Sequence, residues 1–264
     1  MCNKVEAIDT RQHAIDIERW LAPTSPSKNI NEARGQRHEG TGNWFLECPQ
    51  FQKWLNGSGR HLWLHGPLGC GKTVLSTIII DCLKSEESLE TLSFFFDFAD
   101  LKKQKPDHMV RSLVMQLYQL GGPAVEKLDD FFRMHNQGQD QPSPSDLEEI
   151  LHAMIRDSGS LCIIIDALDE CSMREELISF IRSFVKTSKA RLIATGRPEA
   201  QLLSHLTPLF GNQNSMPLDK ELIKVDIHSY VTERVWKGGL FERWARLPSI
   251  LTKIRDEVVS KADG

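Results

Sequence analysis

A glycine-rich run of eight residues, GPLGCGKT at positions 66–73, leaves few folds open to this chain. Its spacing, G-x-x-x-x-G-K-[ST], is typical of loops that join a β-strand to an α-helix and surround a phosphate group with backbone N–H groups. The flanking residues agree, because an apolar run at 62–64 precedes the loop and a helical pattern at 73–83 follows it. The sequence therefore predicts a strand, a phosphate-binding loop and a helix in succession.

The residues of this loop form the predicted nucleotide contact set. Glycines let the backbone curl around phosphate oxygens, and the helix that follows places its positive N-terminal end beneath them. We expect the Lys72 ammonium to neutralise the terminal phosphates and the Thr73 hydroxyl to bind Mg²⁺, which prefers oxygen ligands. The full predicted set is Gly66, Pro67, Leu68, Gly69, Cys70, Gly71, Lys72, Thr73 and Val74.

An acidic cluster follows a second apolar run, at 161–165. Asp166 ends that run, and Asp169 and Glu170 come directly after it. We expect Asp166 to hold the magnesium ion through water, and Asp169 or Glu170 to orient and deprotonate an attacking water. Acidic residues are also favoured at helix N-termini by the helix dipole, so the cluster alone leaves a capping role open.

A third candidate site residue is Arg197, which follows the apolar stretch at 190–194. In a parallel sheet this arginine would share one edge with Lys72 and Asp166. Its guanidinium could then bind the γ-phosphate through strong, directional charge-assisted hydrogen bonds. The alternative is a solvated or salt-bridged surface arginine.

Strand-like and helix-like patterns alternate along the chain, which predicts an α/β fold with a mostly parallel five-stranded sheet flanked by helices. Predicted strands cover 62–64, 92–98, 161–165, 190–194 and 215–218. Predicted helices cover 1–22, 44–55, 73–83, 109–120, 124–134, 146–156, 175–185 and 199–206, and residues 220–264 look helical throughout.

Two local features complete this interpretation. The polar stretch 24–42 predicts a loop, and Ser145 with Glu148 fits a capping box at the start of the helix 146–156.

We divide the chain into an N-terminal helical and nucleotide-covering segment, 1–58, and a P-loop core, 59–219. The segment 220–264 is expected to be the truncated start of a C-terminal helical region.

Charge and hydropathy exclude several classes of protein. Lys and Arg number 32 against 36 Asp and Glu, so no overall basic field exists to attract nucleic acid. No apolar run approaches the roughly 20 residues that span a bilayer, and the amino terminus lacks the apolar core of a secretory signal. The six cysteines lack zinc-ligand spacing. These observations predict a cytoplasmic protein with reduced thiols.

The chain resembles NACHT-type STAND nucleotide-binding domains, in particular the fungal group related to heterokaryon-incompatibility and nephrocystin-like N-terminal domains. The resemblance is carried by these segments, in family order: RHEGTGNWFLECPQFQKWL (37–55), LWLHGPLGCGKTVLS (62–76), SFFFDFAD (93–100), RSLVMQLY (111–118), IIIDALDEC (163–171) and ATGRPE (194–199).

The resemblance implies a P-loop NTPase of the additional-strand class, with strand order 51432 and the Arg197 strand between those of Lys72 and Asp166. It makes Asp166 the Walker B acid, assigns Asp169 and Glu170 to hydrolysis, and makes Arg197 the first sensor. The segment with His38, Gly40, Thr41 and Gly42 would fold over the base and ribose. The family more often has serine where Gly196 stands, which we expect to make that turn more flexible.

These features and the resemblance together favour an ATP- and Mg²⁺-dependent signalling switch, and the resemblance implies that hydrolysis is slow. Adenine is preferred because no N-K-x-D segment follows the acidic cluster, although the resemblance leaves GTP open. The resemblance further implies self-oligomerisation of the full-length protein, effector or ligand partners, and a role in fungal non-self recognition, innate immunity or programmed cell death. Two alternatives remain: a small-molecule phosphotransferase using the same loop, and an interaction module that binds nucleotide without hydrolysing it.

Overall fold

The protein is described by a computed structural model that covers residues 2–86, 89–218, 220–237, 239 and 241–262. Its strands are β1 (His61–His65), β2 (Glu90–Phe95), β3 (Leu161–Asp166), β4 (Arg191–Gly196) and β5 (Ser215–Pro217). Its helices are α1 (Cys2–Leu21), α2 (Ser27–Gln36), α3 (Asn43–Glu47), α4 (Pro49–Leu55), α5 (Lys72–Lys84), α6 (Pro106–Leu120), α7 (Pro123–Met134), α8 (Pro144–Asp157), α9 (Arg174–Thr187), α10 (Ala200–Phe210), α11 (Lys220–Lys237) and α12 (Pro248–Ala262).

The five strands form one sheet in the order β2-β3-β4-β1-β5, and each neighbouring pair is parallel. Read from the other edge this is the order 51432, so the predicted fold class and strand order are confirmed. The strand that precedes Arg197 lies between the strand before the glycine-rich loop and the strand that ends at Asp166. The carboxyl ends of these three strands therefore meet at one edge of the sheet.

Helices cover both faces of this sheet, which explains why its strands are apolar runs rather than alternating patterns. Successive side chains of a strand point to opposite faces. Trp63, Ile163 and Ile165 pack into one core with α1 and α6 to α10. Leu62 and Ile164 pack into the other core with α2 to α5.

The stretch 24–42 is not the loop that its polar composition predicts, because it contains helix α2. Only Ile30 and Ala33 of this helix are buried, so a hydrophobic period is nearly absent from its sequence. The helix packs against α5, where Asp81 forms ion pairs with Arg34 and Arg37. Contacts with a distant helix, rather than local periodicity, hold this segment in place.

The predicted capping box at Ser145 and Glu148 is wrong by two residues, because α8 begins earlier. The Asp146 amide donates to Ser143 Oγ at 3.2 Å, and the Ser143 amide donates to Asp146 Oδ2 at 2.9 Å. Pro144 occupies the first helical position, where its missing N–H costs nothing.

Two helices that the sequence pattern predicted as continuous are each divided in the structure. The segment 44–55 is divided into α3 and α4, with Pro49 as the first residue of α4. The segment 220–264 is divided into α11 and α12, and Pro248 begins α12. Val231, Val235 and Leu251 form a small apolar cluster between these two helices. Positions 238, 240, 263 and 264 of that prediction lie outside the described residues.

Within the described ranges, no helix combines the length and the apolar character that crossing a membrane requires.

Candidate functional site

The glycine-rich loop connects the end of β1 to the first turn of α5. Gly69 and Gly71 have φ values of +77° and +81°, in the left-handed region that residues with a Cβ rarely adopt. Gly71 directly precedes the helix, and no side chain caps its first turn. The first amide groups of a helix lack intrahelical acceptors, so this turn offers N–H donors to an anion.

Lys72 lies within the curl of the same loop. Its Nζ donates to the carbonyl oxygen of Gly66 at 2.9 Å and to that of Pro67 at 2.7 Å, and lies 3.6 Å from the Cys70 sulfur. The loop therefore holds one positive charge close to its backbone. This is the position that neutralisation of a bound phosphate requires.

The carboxylate of Asp166 is the most buried acidic group of the site, with only 1% of the residue exposed. It accepts hydrogen bonds from the hydroxyls of Thr73 at 2.7 Å, Ser76 at 2.6 Å and Thr195 at 2.6 Å. Burial of a charged group is expensive unless hydrogen bonds compensate it, and three hydroxyls do so here. The structure thus joins Thr73 and Asp166, the two predicted metal ligands.

Ser76 and Thr195 were missed by the sequence analysis, although each left a signal. Ser76 follows Thr73 by one helical turn, so the two hydroxyls share one face of α5. Thr195 lies in β4, which pairs with β3 so that Ile165 is opposite Ala194. The strand order alone would have brought this hydroxyl near Asp166.

The chain turns sharply after Asp166. Ala167 has a φ of +58°, a left-handed conformation that is unfavourable for a residue with a Cβ. A short 3₁₀ turn, Leu168–Glu170, follows. A strained backbone conformation persists only where the surrounding structure holds it. Here the turn at Ala167 separates the Asp166 side chain from those of Asp169 and Glu170.

Asp169 forms a tight pair with Arg197. One carboxylate oxygen accepts from the Arg197 amide at 2.8 Å, and the other lies 3.0 Å from Arg197 Nε. The Asp169 side chain is only 4% exposed, whereas that of Arg197 is 37% exposed. Both oxygens of Asp169 are therefore engaged in holding the arginine, which distinguishes this acid from Glu170.

Glu170 is the less constrained of the two acids. Its Oε2 accepts one hydrogen bond, from the Phe98 amide at 3.0 Å. Burial raises the pKa of Glu170 above its ordinary value, and the hydrogen bond from Phe98 opposes this shift. The nearby charges of Asp169 and Asp97 raise the pKa further, whereas that of Arg197 lowers it. A carboxylate with a raised pKa is a stronger base once it is ionised.

Most of these groups line one cavity of about 460 Å³, including the loop and helix residues from Leu68 to Val74. Gly66 and Pro67 of the predicted contact set, and the hydroxyl-bearing Ser76 and Thr195, are not among its lining residues. Its charged lining residues are the cations Lys72 and Arg197 and the acids Asp166, Asp169, Glu170 and Asp226. Its remaining walls are largely apolar and come from α5, α11 and the segment before α3: they include His38, Thr41, Gly42, Ile78, Ile223 and Tyr230. A cavity with a charged region and an apolar region suits a ligand built in the same way.

The segment before α3 is tied to α11 across this cavity. Asp226 Oδ2 accepts hydrogen bonds from the Gly42 amide at 2.8 Å and from the indole Nε1 of Trp44 at 2.9 Å. His38 Nδ1 lies 2.8 Å from the Glu233 carboxylate. The predicted covering segment thus contributes His38, Thr41 and Gly42 to the cavity lining, while Gly40 is not among the lining residues. Nothing in the sequence pointed to Asp226.

Gly196 differs from the flexible turn position that the sequence analysis expected. It is the buried last residue of β4. A Cβ added there would lie 2.8 Å from Trp63 Cη2 and 3.2 Å from Asp169 Oδ1. Close packing, rather than conformational freedom, accounts for glycine at this position.

Three similarities to known proteins accompany this geometry. The sequence model of the family described as "Nephrocystin 3, N-terminal" matches residues 40–197. The vegetative incompatibility protein HET-E-1 of Podospora anserina is 28% identical over 254 residues, covering 92% of this chain. The chain spans only 18% of the length of that protein. The structure of the Aeropyrum pernix ORC1 protein in complex with DNA aligns with a TM-score of 0.45 at 12% identity, covering 74% of this chain and 45% of that one.

Proposed function

Because this chain belongs to the nephrocystin 3 N-terminal family, we propose that it is a nucleotide-binding domain that binds ATP with Mg²⁺, hydrolyses it slowly and acts as a signalling switch. One observation carries the proposal: Lys72, Asp166 and Arg197, from three separate chain segments, line the same cavity as the glycine-rich loop. A cation, a buried acid and a second cation around such a loop favour the binding of a triphosphate over other small molecules.

The donor set at Thr73 and Asp166 fits a magnesium ion. The Thr73 hydroxyl and the Asp166 carboxylate are 2.7 Å apart, and both are hard oxygen ligands. When bound, Mg²⁺ would neutralise negative charge on the phosphate oxygens. Ser76 and Thr195 hold the carboxylate in place, so Asp166 would not need to reorient.

For hydrolysis we assign the proton-accepting role to Glu170, and Asp169 orients Arg197. The raised pKa of Glu170 suits a group that removes a proton from an attacking water. Arg197 lines the cavity with its backbone and Nε anchored by Asp169, and is assigned to the γ-phosphate. Loss of the γ-phosphate would release this contact and that of Lys72, which is the switching step.

The apolar walls of the cavity would take the base. Ile78, Ile223 and Tyr230 offer surfaces on which a planar purine can pack. We propose ATP rather than GTP, because no N-K-x-D segment follows the acidic cluster. The N-terminal segment 1–58, the core 59–219 and the C-terminal segment 220–264 all contribute to the lining, so the state of the ligand can be transmitted between them.

The role of the whole protein is a wider proposal. The likeness to a vegetative incompatibility protein supports a function in fungal non-self recognition or programmed cell death. Self-oligomerisation, effector partners and a cytoplasmic location belong to the same proposal. Segments outside this chain would contribute to them, since the chain spans 18% of that relative.

Nucleotide binding is tested by titrating fluorescent ATP and GTP analogues in the presence of Mg²⁺. We expect Lys72→Ala to weaken ATP binding by about tenfold or more, because it removes a charge-assisted contact to phosphate. The matched control is Lys84→Ala, at the exposed far end of the same helix. Wild-type affinity in Lys72→Ala, or equal losses in the two variants, would contradict the proposal.

Hydrolysis is tested by phosphate release from Glu170→Gln, with the exposed Glu175→Gln as the matched control. We expect release to fall by about 100-fold in Glu170→Gln with ATP affinity retained, because the amide cannot accept the proton. Below the raised pKa of Glu170 the carboxyl is protonated, so phosphate release by the wild type should rise with pH as the group ionises.

Unchanged phosphate release in Glu170→Gln would remove Glu170 from the mechanism. Binding without turnover would favour the interaction module, and turnover that depends on one metabolite would favour the phosphotransferase.

A further inference from the structure

A second charged pair lies next to Asp169 and Arg197, formed by Arg174 at the start of α9 and Glu199 just before α10. Both Nη atoms of Arg174 bond to the Glu199 carboxylate, Nη2 at 3.2 Å and Nη1 more closely. The two side chains are 31% and 35% exposed. A two-point arginine–carboxylate contact fixes direction as well as distance.

The same guanidinium also binds the turn after β3. Arg174 Nη2 donates to the backbone carbonyl of Asp169 at 2.7 Å. One arginine therefore links the 3₁₀ turn that carries Asp169 and Glu170 to the loop that carries Arg197. No covalent or strand connection joins these two loops at this point, because β3 and β4 have already ended.

Arg197 is held by the two residues that Arg174 binds. Its amide and its Nε bond to the Asp169 carboxylate, and its carbonyl oxygen accepts from the Glu199 amide at 2.8 Å. Arg174 thus contacts Asp169 through the backbone and Glu199 through the side chain, and both of these anchor Arg197. Moving either anchor would shift the guanidinium of Arg197.

Arg174 and Glu199 do not line the cavity, whereas Asp169 and Arg197 do. Direct contact with a ligand in that cavity is therefore not their function. Solvent reaches about a third of each side chain, which limits what the pair contributes to stability. The pair fixes the separation between the turn that carries Asp169 and the loop that carries Arg197, and both of these residues line the cavity.

We propose that Arg174 and Glu199 are positioning residues that set Arg197 for recognition of the γ-phosphate, so that the pair controls how well the domain distinguishes a nucleoside triphosphate from a diphosphate. This inference rests on the proposed nucleotide-binding function. It assigns the discrimination between triphosphate and diphosphate to the Arg174–Glu199 contact, which lies outside the cavity. That contact acts on Arg197 through Asp169 and through the backbone of Glu199.

The first test needs no nucleotide. Hydrogen exchange at residues 195–199 is compared in the wild type, Arg174→Ala and Glu199→Ala. We expect exchange in this segment to become about tenfold faster in both variants, because charge-assisted bonds that restrain the loop are lost. Arg133→Ala is the matched control, since Arg133 forms an exposed ion pair with Asp130 on α7. Unchanged exchange at 195–199 in Arg174→Ala would overturn the proposal.

The second test measures the ratio of ADP to ATP dissociation constants with Mg²⁺. We expect Arg197→Ala to remove the preference for ATP, and Arg174→Ala and Glu199→Ala each to reduce it by about fivefold or more with ADP affinity unchanged. The double variant should lose no more than either single one, because the two residues act as a unit. A merely structural pair would alter both affinities together or neither.

The outcomes separate this inference from the proposed function. If the wild type binds no nucleotide, both fail. If the wild type prefers ATP and Arg197→Ala loses that preference while Arg174→Ala keeps it, only the positioning role fails. Additive losses in the double variant would likewise overturn it.

Discussion

At the scale of single residues, Gly196 shows how one missing side chain permits the arrangement of the site. The Trp63 ring, on the neighbouring strand β1, occupies the space that a Cβ at position 196 would need. The Asp169 carboxylate also lies close to Gly196, and it accepts a hydrogen bond from the Arg197 amide there. Packing of a tryptophan and orientation of a charged pair thus depend on one glycine.

We predict that Gly196→Ala lowers the free energy of unfolding by about 1–3 kcal/mol, because the added methyl group overpacks the site. Urea denaturation measures this change. The control is Gly159→Ala, where a Cβ would meet nothing within 4 Å and the φ angle is not in the left-handed region. Equal unfolding midpoints for Gly196→Ala and the wild type would show that Trp63 moves aside without cost.

At the scale of secondary structure, prolines determine where several helices begin. Pro49, Pro106, Pro123, Pro144 and Pro248 are the first residues of α4, α6, α7, α8 and α12. Proline suits this position because the first N–H groups of a helix have no intrahelical acceptor and its φ angle is already helical. Among these helices, α8 also has a complete capping box, formed by Ser143 and Asp146.

We predict that Ser143→Ala lowers stability by about 1 kcal/mol, a typical loss for an N-cap hydroxyl. Ser145→Ala is the control, because Ser145 bonds to the Ser143 hydroxyl but caps no amide of α8. Thermal unfolding of the two variants measures the difference. A larger loss in Ser145→Ala would contradict the observed capping geometry.

The cap also has a defined pH dependence. Hydrogen bonds from the Ser143 side chain and amide lower the pKa of Asp146 below its ordinary value. The folded-state pKa is then lower than the unfolded one, so the stabilisation is present above the unfolded pKa and is lost as pH falls through the folded pKa. The difference between Ser143→Ala and the wild type should therefore shrink in acid.

At the scale of the whole molecule, the cavity is closed by parts of the chain that are far apart in sequence. Asp226 of α11 bonds to the amide of Gly42 and the indole of Trp44, and Glu233 of α11 pairs with His38. Gly42 is itself packed against α5, where an added Cβ would meet Ile78 Cδ1 at 2.5 Å. Helix α11 is thereby held against the segment that covers the site.

We predict that Asp226→Ala lowers the free energy of unfolding by about 1–3 kcal/mol, because the amide of buried Gly42 and the Trp44 indole lose their acceptor. Chemical denaturation, followed by tryptophan fluorescence, measures this change in stability. Asp256→Ala on α12 is the matched control, because Asp256 is exposed and pairs with the neighbouring Arg255. If the two variants lose equal stability, Asp226 is not what holds α11 in place.

Much of the site was predictable because its chemistry depends on consecutive residues. The glycine-rich loop, Lys72, Thr73 and Asp166 were identified from spacing and apolar runs, and the structure brings them to one cavity. The strand order followed from the family resemblance carried by these motifs. The pairing of Asp169 with Arg197 was not predictable, because the two residues meet only when β3 and β4 are adjacent and in register.

By itself, the sequence determined the glycine-rich loop, the strands and the edge of the sheet at which the charged groups meet. These depend on local backbone preferences and on hydrophobic period, which neighbouring residues set. Only the tertiary structure decided that 27–36 is helical, that Gly196 must accommodate Trp63, that Asp226 closes the cavity and that Arg174 joins two loops. Each of these is a contact between distant segments, and its partner is specified by packing and strand register rather than by any local pattern.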